Sequence, residues 1–145
     1  MIKKIVLIGA LFSALTAAQA VEIGITTGNN YTKNENVWGL TASTNVKGFG
    51  ATAGFARNSS ADTYSVTGAK DVAKFKAADI AVKAGVAYVD SKVNTDGYAL
   101  TVGVGASMPI TKVVSATLDY SYQAGESKVS SQDGNRLTAG LKYRF

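Results

Sequence analysis

Residues 97–108 read GYALTVGVGASM, and apolar residues occupy every second position from Tyr98 to Met108. The positions between them hold only Ala, Thr, Gly and Ser. Successive side chains of a β-strand point to opposite faces, so this stretch predicts a strand with one apolar face and one face of small residues. The alternation recurs in seven other segments, separated by clusters of Gly, Asn, Asp, Ser and Lys. The predicted strands are 21–28, 37–46, 49–57, 63–70, 79–89, 97–108, 113–124 and 135–145.

The two faces differ in the size and charge of their side chains. One face has 36 positions, of which only Thr44 and Gly68 are not apolar and none is charged. The other has 32 positions, mostly Gly, Ala, Ser and Thr, and its only apolar residues are five alanines. A sheet surface in water carries more Lys, Glu and other long polar side chains. The pattern therefore favours an apolar surface in lipid around a narrow polar interior. A soluble periplasmic β-barrel binding protein, or a sandwich, is the alternative.

A sheet in lipid has to close, because every backbone N–H and C=O must be paired within the protein. Eight is an even strand number and the smallest usual one for membrane barrels. The predicted fold is all-β, an eight-stranded antiparallel up-and-down transmembrane β-barrel over residues 21–145. Both termini then lie on one side. The outer connections are 29–36, 58–62, 90–96 and 125–134, and the inner ones are 47–48, 71–78 and 109–112. The 71–78 connection is longer than an inner turn normally is.

Residues 1–20 have the pattern of a signal peptide. Lys3 and Lys4 form a positive segment, an apolar run covers 5–15, and Ala18-Gln19-Ala20 has the small-x-small form of a cleavage site. A transmembrane anchor is the alternative, but the apolar run is shorter than the roughly 20 residues that a spanning helix needs. The mature chain is expected to begin near Val21.

The composition excludes several classes of function. The chain has no Cys and no His, so it cannot form a Ser–His catalytic unit and lacks the commonest metal ligand. Without Lys3 and Lys4 the chain has 13 basic and 10 acidic residues, a net charge of +3, which is too mild to indicate nucleic acid as a partner. The sequence therefore predicts no enzyme activity, no cofactor and no metal site.

Aromatic residues of the apolar face lie near the ends of the predicted strands. Membrane barrels carry aromatic girdles at both interfaces, where one edge of each ring is dry and the other wet. The predicted girdle next to the outer connections consists of Trp38, Phe55, Tyr64, Tyr88, Tyr98 and Tyr122. At the inner strand ends lie Phe49, Tyr143 and Phe145.

The signal peptide, the eight-strand pattern and a terminal Phe preceded by alternating apolar residues resemble small outer-membrane β-barrel proteins of Gram-negative bacteria. These are the OmpA-transmembrane-domain, OmpX and opacity-protein type, often called the porin family. The resemblance implies an outer-membrane location with both termini periplasmic. It implies as partners outer-membrane lipid, lipopolysaccharide and, during assembly, the insertion machinery, the barrel being a monomer. The residues that match the C-terminal insertion signal are Leu137, Leu141, Tyr143 and Phe145.

Charged residues on the small-residue face predict what fills the interior. They are Glu22, Lys83, Asp119, Arg136, Lys142 and Arg144. A symmetric 125–134 hairpin would place Asp119 near Leu141, so we expect Asp119–Lys142 and Glu22–Arg144 pairs, since buried charges are tolerated when paired. Such pairs either plug the barrel or line a narrow, gated ion pathway, because eight strands leave room for little more than side chains. The predicted function is a structural or surface role in the outer membrane with weak pore activity.

Overall fold

A computed structural model describes residues 21–46, 48–92, 95–126 and 133–145. Eight antiparallel strands close into one barrel in chain order, and β8 pairs with β1. The strands are β1 Glu22–Asn30, β2 Glu35–Val46, β3 Phe49–Arg57, β4 Ala61–Phe75, β5 Ala78–Ser91, β6 Gly97–Pro109, β7 Val114–Gly125 and β8 Gly134–Arg144. All eight predicted strands are present, so the predicted fold is confirmed. No helix in these ranges is long and apolar enough to cross a membrane. The predicted signal peptide lies outside the described residues.

The register of the strand pairs sets the tilt of the barrel. Glu22 pairs with Ser43 of β2. The residues that pair in turn from β2 around the barrel to β8 end at Gly134. Across the closing seam, however, Glu22 pairs with Arg144, ten residues further along β8. Closing a sheet with such an offset inclines the strands by about 35–45° to the barrel axis. Tilted strands of 9 to 15 residues are long enough to cross a bilayer.

Val21 and Phe145, the first and last described residues, lie at one end of the barrel, the terminal end. The opposite end, the loop end, carries the β1–β2, β3–β4, β5–β6 and β7–β8 connections. The predicted 71–78 connection is wrong, because β4 continues to Phe75 and β5 begins at Ala78. A β-bulge at Val72 allows this, since Asp71 pairs with Ala81 whereas Ala73 pairs with Ile80. A bulge shifts the alternation by one residue, and this hid the strand in the sequence.

The two faces of the sheet lie as the alternation predicts. On β6, Leu100, Val102 and Val104 point outward and are 64%, 55% and 48% exposed. Thr101 and Gly103 between them line the interior. The buried apolar residues in the described ranges are few and small: Val37, Ala53, Ala61, Ala87, Val89 and Ala99. Large apolar side chains therefore cover the outside of the barrel, which is the reverse of a water-soluble protein.

Candidate functional site

A cavity lies toward each end of the barrel interior, or lumen, among the described residues. The loop-end cavity has a volume of about 170 Å³, and Thr is the commonest residue in its wall. The terminal-end cavity has about 180 Å³, and Glu22, Lys142 and Arg144 contribute to its wall. Lys83 lines both cavities. The charged side chains of the lumen are therefore the candidate functional site.

Lys83 and Asp119 form an ion pair where the two cavities meet. Lys83 lies on β5 and Asp119 on β7, and both side chains are partly buried, at 28% and 20% exposed. The Lys83 Nζ donates a hydrogen bond to Asp119 Oδ1 across β6. Gly105 of β6 makes room for this contact, because a Cβ there would approach Lys83 Cε to 2.7 Å and overlap the carboxylate of Asp119. The pair thus divides the lumen at a point where the intervening strand has no side chain.

A second charge cluster lies at the terminal end, where β8 closes against β1. Arg144 donates to Glu22 Oε1 from Nε at 3.1 Å and from Nη2 at 2.7 Å. The predicted Glu22–Arg144 pair is confirmed. Lys142 Nζ lies 3.9 Å from Glu22 Oε2 and joins the same cluster. Two cations therefore share the carboxylate of Glu22.

The predicted Asp119–Lys142 pair is wrong, because the β7–β8 register differs from that of a symmetric hairpin. Asp119 pairs with Thr138 in the ladder rather than lying near Leu141. Its carboxylate binds Lys83, and Lys142 lies with Glu22 instead. The inward direction of all four side chains was correctly predicted. Their partners were not, since the partners depend on the register.

Arg136 faces the lumen near the loop end and is only 8% exposed. Its ladder partners are Asn30 on β1 and Ser121 on β7. The charge of Glu35, at the start of β2, acts on it. Glu35 in turn accepts hydrogen bonds at Oε1 from the hydroxyls of Ser59, at 2.9 Å, and Ser60. Alternation predicts Arg136 as an inward charge, whereas Glu35 precedes the predicted start of its strand at residue 37.

Small apolar side chains narrow the loop end of the lumen. Ala61, Ala87, Val89 and Ala99 form a cluster in which each residue is at most 4% exposed. Val37 lines the loop-end cavity and is equally buried. Neither Val37 nor Val89 is among the residues predicted for either face. Continuing the alternation to the ends of β2 and β5 would have placed both of them inward.

The predicted aromatic girdle forms a band around much of the loop end. Ring centroids are 5.7 Å apart for Trp38 and Phe55, 5.3 Å for Phe55 and Tyr64, and 5.5 Å for Tyr88 and Tyr98. Tyr64 and Tyr88 are ladder partners, so the band runs unbroken from β2 to β6. Tyr122 faces outward on β7 and is 44% exposed.

Arg57 adds a charge to this band that the sequence did not reveal. Its guanidinium lies 5.9 Å from the ring centroid of Trp38 and 5.5 Å from that of Phe55. The same guanidinium donates to both carboxylate oxygens of Asp62 at 2.7 Å. Stacking on aromatic faces while holding a carboxylate is typical of arginine.

The residues of the predicted insertion signal lie on the outward face of β8 and just beyond it. Leu141 and Tyr143 are 48% and 47% exposed, and Leu137 pairs with Tyr120. The rings of Tyr143 and Phe145 meet edge to face at 5.0 Å. Phe145 also donates its backbone N–H to the Val21 carbonyl at 3.1 Å. These four side chains therefore share the outer surface of the closing strand.

Comparisons with known proteins find likeness in structure rather than in sequence. No protein-family model and no curated protein sequence matches the chain. The N-terminal barrel domain of Pseudomonas aeruginosa OprF superposes with a TM-score of 0.68 at 14% identity, covering 88% of this chain and 98% of that domain. Neisserial surface protein A gives 0.61 at 12% identity, covering 87% and 95%. A de novo designed transmembrane β-barrel gives 0.65 at 17%, covering 88% and 97%. The protein therefore has the fold of the small eight-stranded outer-membrane β-barrels.

Proposed function

We propose that this protein is an integral outer-membrane β-barrel with a structural or surface role and no catalytic activity, and that both of its termini lie in the periplasm. The observation that carries the proposal is the inverted distribution of side chains. Large apolar residues are about half exposed around the outside, while Thr, Ser and paired charges line the interior. Such a surface is stable in hydrocarbon and aggregates in water. The absence of His and Cys from the chain supports a non-catalytic role.

The partners that this surface fits are membrane lipids. The apolar band matches acyl chains. With both termini in the periplasm the loop end faces outward, and there the girdle with Arg57 fits lipid headgroups, including lipopolysaccharide. During assembly the insertion machinery would bind Leu137, Leu141, Tyr143 and Phe145, which lie together along the outside of β8. Once closed, the barrel leaves no strand edge that requires a second copy, so we propose a monomer.

Extraction and gel mobility test this proposal. We expect the mature chain to require detergent and to migrate differently on an SDS gel before and after boiling, because a closed ladder resists SDS until it is heated. A protein that stays monomeric in detergent-free buffer and shows no mobility shift would instead support the soluble periplasmic barrel.

We also propose weak ion conduction, on the observation that one charged residue lines both cavities. Lys83 belongs to the walls of the loop-end and the terminal-end cavity, and its ion pair with Asp119 holds it between them. A hydrogen-bonded charge pair can open and close without a change in the barrel, and its opening would join the cavities. The buried alanine and valine cluster at the loop end keeps the pathway narrow. Conduction is therefore expected to be small and intermittent.

Planar-bilayer recordings of Asp119→Ala and Lys83→Ala test this pathway. Removing a hydrogen-bonded charge contact of about 1–2 kcal/mol should raise the open probability by about 5- to 30-fold. Lys142→Ala is the matched control, because it removes a lumen cation but leaves the Lys83–Asp119 pair intact. If neither the wild type nor the variants conduct, only the structural role remains.

A further inference from the structure

One of the three arginines in the chain differs from the other two in its contacts. In Arg57 and Arg144, Nε and Nη2 both donate to a carboxylate, that of Asp62 and that of Glu22 respectively. These two nitrogens form one edge of the planar guanidinium, a two-donor fork that fits carboxylate and phosphate oxygens. The chain thus uses this fork twice to hold an oxyanion supplied by its own side chains.

In Arg136 the same fork holds no carboxylate of the described residues. Its Nε and Nη2 are buried and have no hydrogen-bond partner among the residues that the structure describes. Of the three arginines it is the one enclosed in the lumen, with 8% of its surface exposed. A buried donor without an acceptor is costly, and more so when it is charged. The Arg136 fork therefore has the geometry of an oxyanion site without an oxyanion from the protein.

Two amide side chains next to Arg136 also offer unused donors. Gln123 is 2% exposed, lines the same loop-end cavity, and its Nε2 has no partner in the described ranges. Asn30, the ladder partner of Arg136, is fully buried. Its Oδ1 accepts the backbone N–H groups of Thr32 and Lys33 at 3.1 and 3.2 Å. This orientation leaves Asn30 Nδ2 as a donor, and it too lacks a partner among those residues. Arg136 and Gln123 thus offer unused donors in the wall of one cavity, and Asn30 offers another beside Arg136 in the ladder.

The charge of the cavity favours an anion. Its charged lining residues are Lys83, Asp119 and Arg136, and the first two neutralise each other. The acid whose charge acts on Arg136 is Glu35. Glu35 is held at Oε1 by Ser59 and Ser60, whereas its Oε2 is buried and, like the Arg136 fork, has no hydrogen-bond partner among the described residues. The positive charge of Arg136 is therefore only partly offset.

We propose that the loop-end cavity binds a small oxyanion, a carboxylate or a phosphate-type ion, on the Nε–Nη2 fork of Arg136, with Gln123 as a further donor in the cavity wall and Asn30 beside Arg136 in the ladder. A volume of about 170 Å³ accommodates such an ion with some water, since a water molecule takes about 30 Å³. The Thr and Ser hydroxyls of the wall can donate to oxygens that the fork does not reach. This binding site goes beyond the proposed function and needs no conduction, so it can be tested in a closed barrel.

Calorimetric titration of the mature protein, refolded in detergent, tests the site. Inorganic phosphate and formate are the probes, and chloride at equal ionic strength is the comparison. We expect saturable binding of one ion per barrel for at least one of the oxyanions, and at least about tenfold weaker binding of chloride, which cannot offer two oxygens to the fork. No saturable binding of either oxyanion, or equal effects of oxyanion and chloride, would overturn the proposal.

Substitutions of arginine by lysine separate the fork from its charge. Arg136→Lys keeps the charge but loses the two-donor edge, and it should weaken oxyanion binding by about 10- to 100-fold. Arg144→Lys is the matched control, since its fork already holds Glu22, and its affinity should equal that of the wild type. Equal affinity in both variants would place the ion elsewhere. Unboiled SDS mobility checks that each variant is folded.

The variant Glu35→Gln tests an intramolecular alternative, in which the Glu35 carboxylate binds the Arg136 fork in solution. If the cavity is a ligand site, we expect the wild type to bind the oxyanion and Glu35→Gln to bind it more tightly, because a competing negative charge is removed. Binding by Glu35→Gln alone would show that Glu35 fills the site in the native protein, and the proposal would be wrong. This comparison does not depend on the folding of any Arg136 variant.

Discussion

Val102 and Thr101 are sequence neighbours on β6 with opposite surroundings. Val102 is 55% exposed on the outer surface, whereas Thr101 lines the loop-end cavity. We expect Val102→Lys to destabilise the barrel by about 2–4 kcal/mol if the residue lies near the bilayer midplane. Thr101→Lys adds a charge to a polar interior, and its cost should come from crowding of the cavity instead. Urea unfolding in lipid vesicles measures both, and equal tolerance of the two changes would contradict the assignment of faces.

At the scale of single residues, the sequence predicted the direction of side chains better than their partners. Glu22, Lys83, Asp119, Arg136, Lys142 and Arg144 were all assigned to the inward face, which follows from alternation alone. The ion-pair partner of Asp119 depends on the strand register. It also depends on whether β6, which lies between β5 and β7, leaves room for the two side chains to meet. The space comes from Gly105, and nothing in the local pattern marks that glycine as the gap between Lys83 and Asp119.

At the scale of the strand, β4 and β5 approach closely on the inward side. A Cβ at the inward Gly85 would lie 2.7 Å from Thr67 Cα and overlap the Val66 carbonyl, whereas one at the outward Gly68 would meet only Ala84 O, at 3.9 Å. We expect Gly85→Ala to destabilise the barrel by about 1–3 kcal/mol through overpacking. Gly68→Ala should be neutral or stabilise by up to about 1 kcal/mol.

These two glycines are a matched pair, since both lie in the β4–β5 ladder and each is replaced by the same residue. Urea unfolding in detergent gives the two free energies under identical conditions. A Gly68→Ala variant as unstable as Gly85→Ala would show that loss of glycine, rather than the close inward approach, is responsible.

Strand existence could be predicted from the sequence, but strand length and register could not be predicted everywhere. Period-two alternation located all eight strands, because each has to present one face to each environment. The predicted β4–β5 connection is too long because the bulge at Val72 shifts the alternation by one residue. Beyond that bulge the continuing strand resembles a loop in the sequence. The predicted β7–β8 register is wrong because the hairpin is not symmetric about the 125–134 connection. Gln123 pairs with Gly134.

At the scale of the whole molecule, closure followed from the chemistry of the faces. In water, an apolar and uncharged face of a sheet has to be buried. In lipid the face can stay exposed, but the sheet must close so that no backbone N–H or C=O group is left unpaired. The need for closure, together with the apolar and small-residue alternation of strands such as β6, made the eight-stranded barrel predictable. The arrangement inside the barrel was not predictable, because the two cavities and the free Arg136 fork arise from the tilt of all eight strands together.

The seam between β1 and β8 also constrains the order in which this molecule can form. Seven of its strand pairs join sequence neighbours, but Glu22 and Arg144 meet from 122 positions apart. Hairpins can therefore form in chain order, while one edge of β1 keeps its N–H and C=O groups unpaired until β8 is available. Such an open edge is both prone to aggregation and unsuited to hydrocarbon. The chain thus cannot enter a membrane strand by strand in the order of its synthesis, and its first strand must be shielded until its last one arrives.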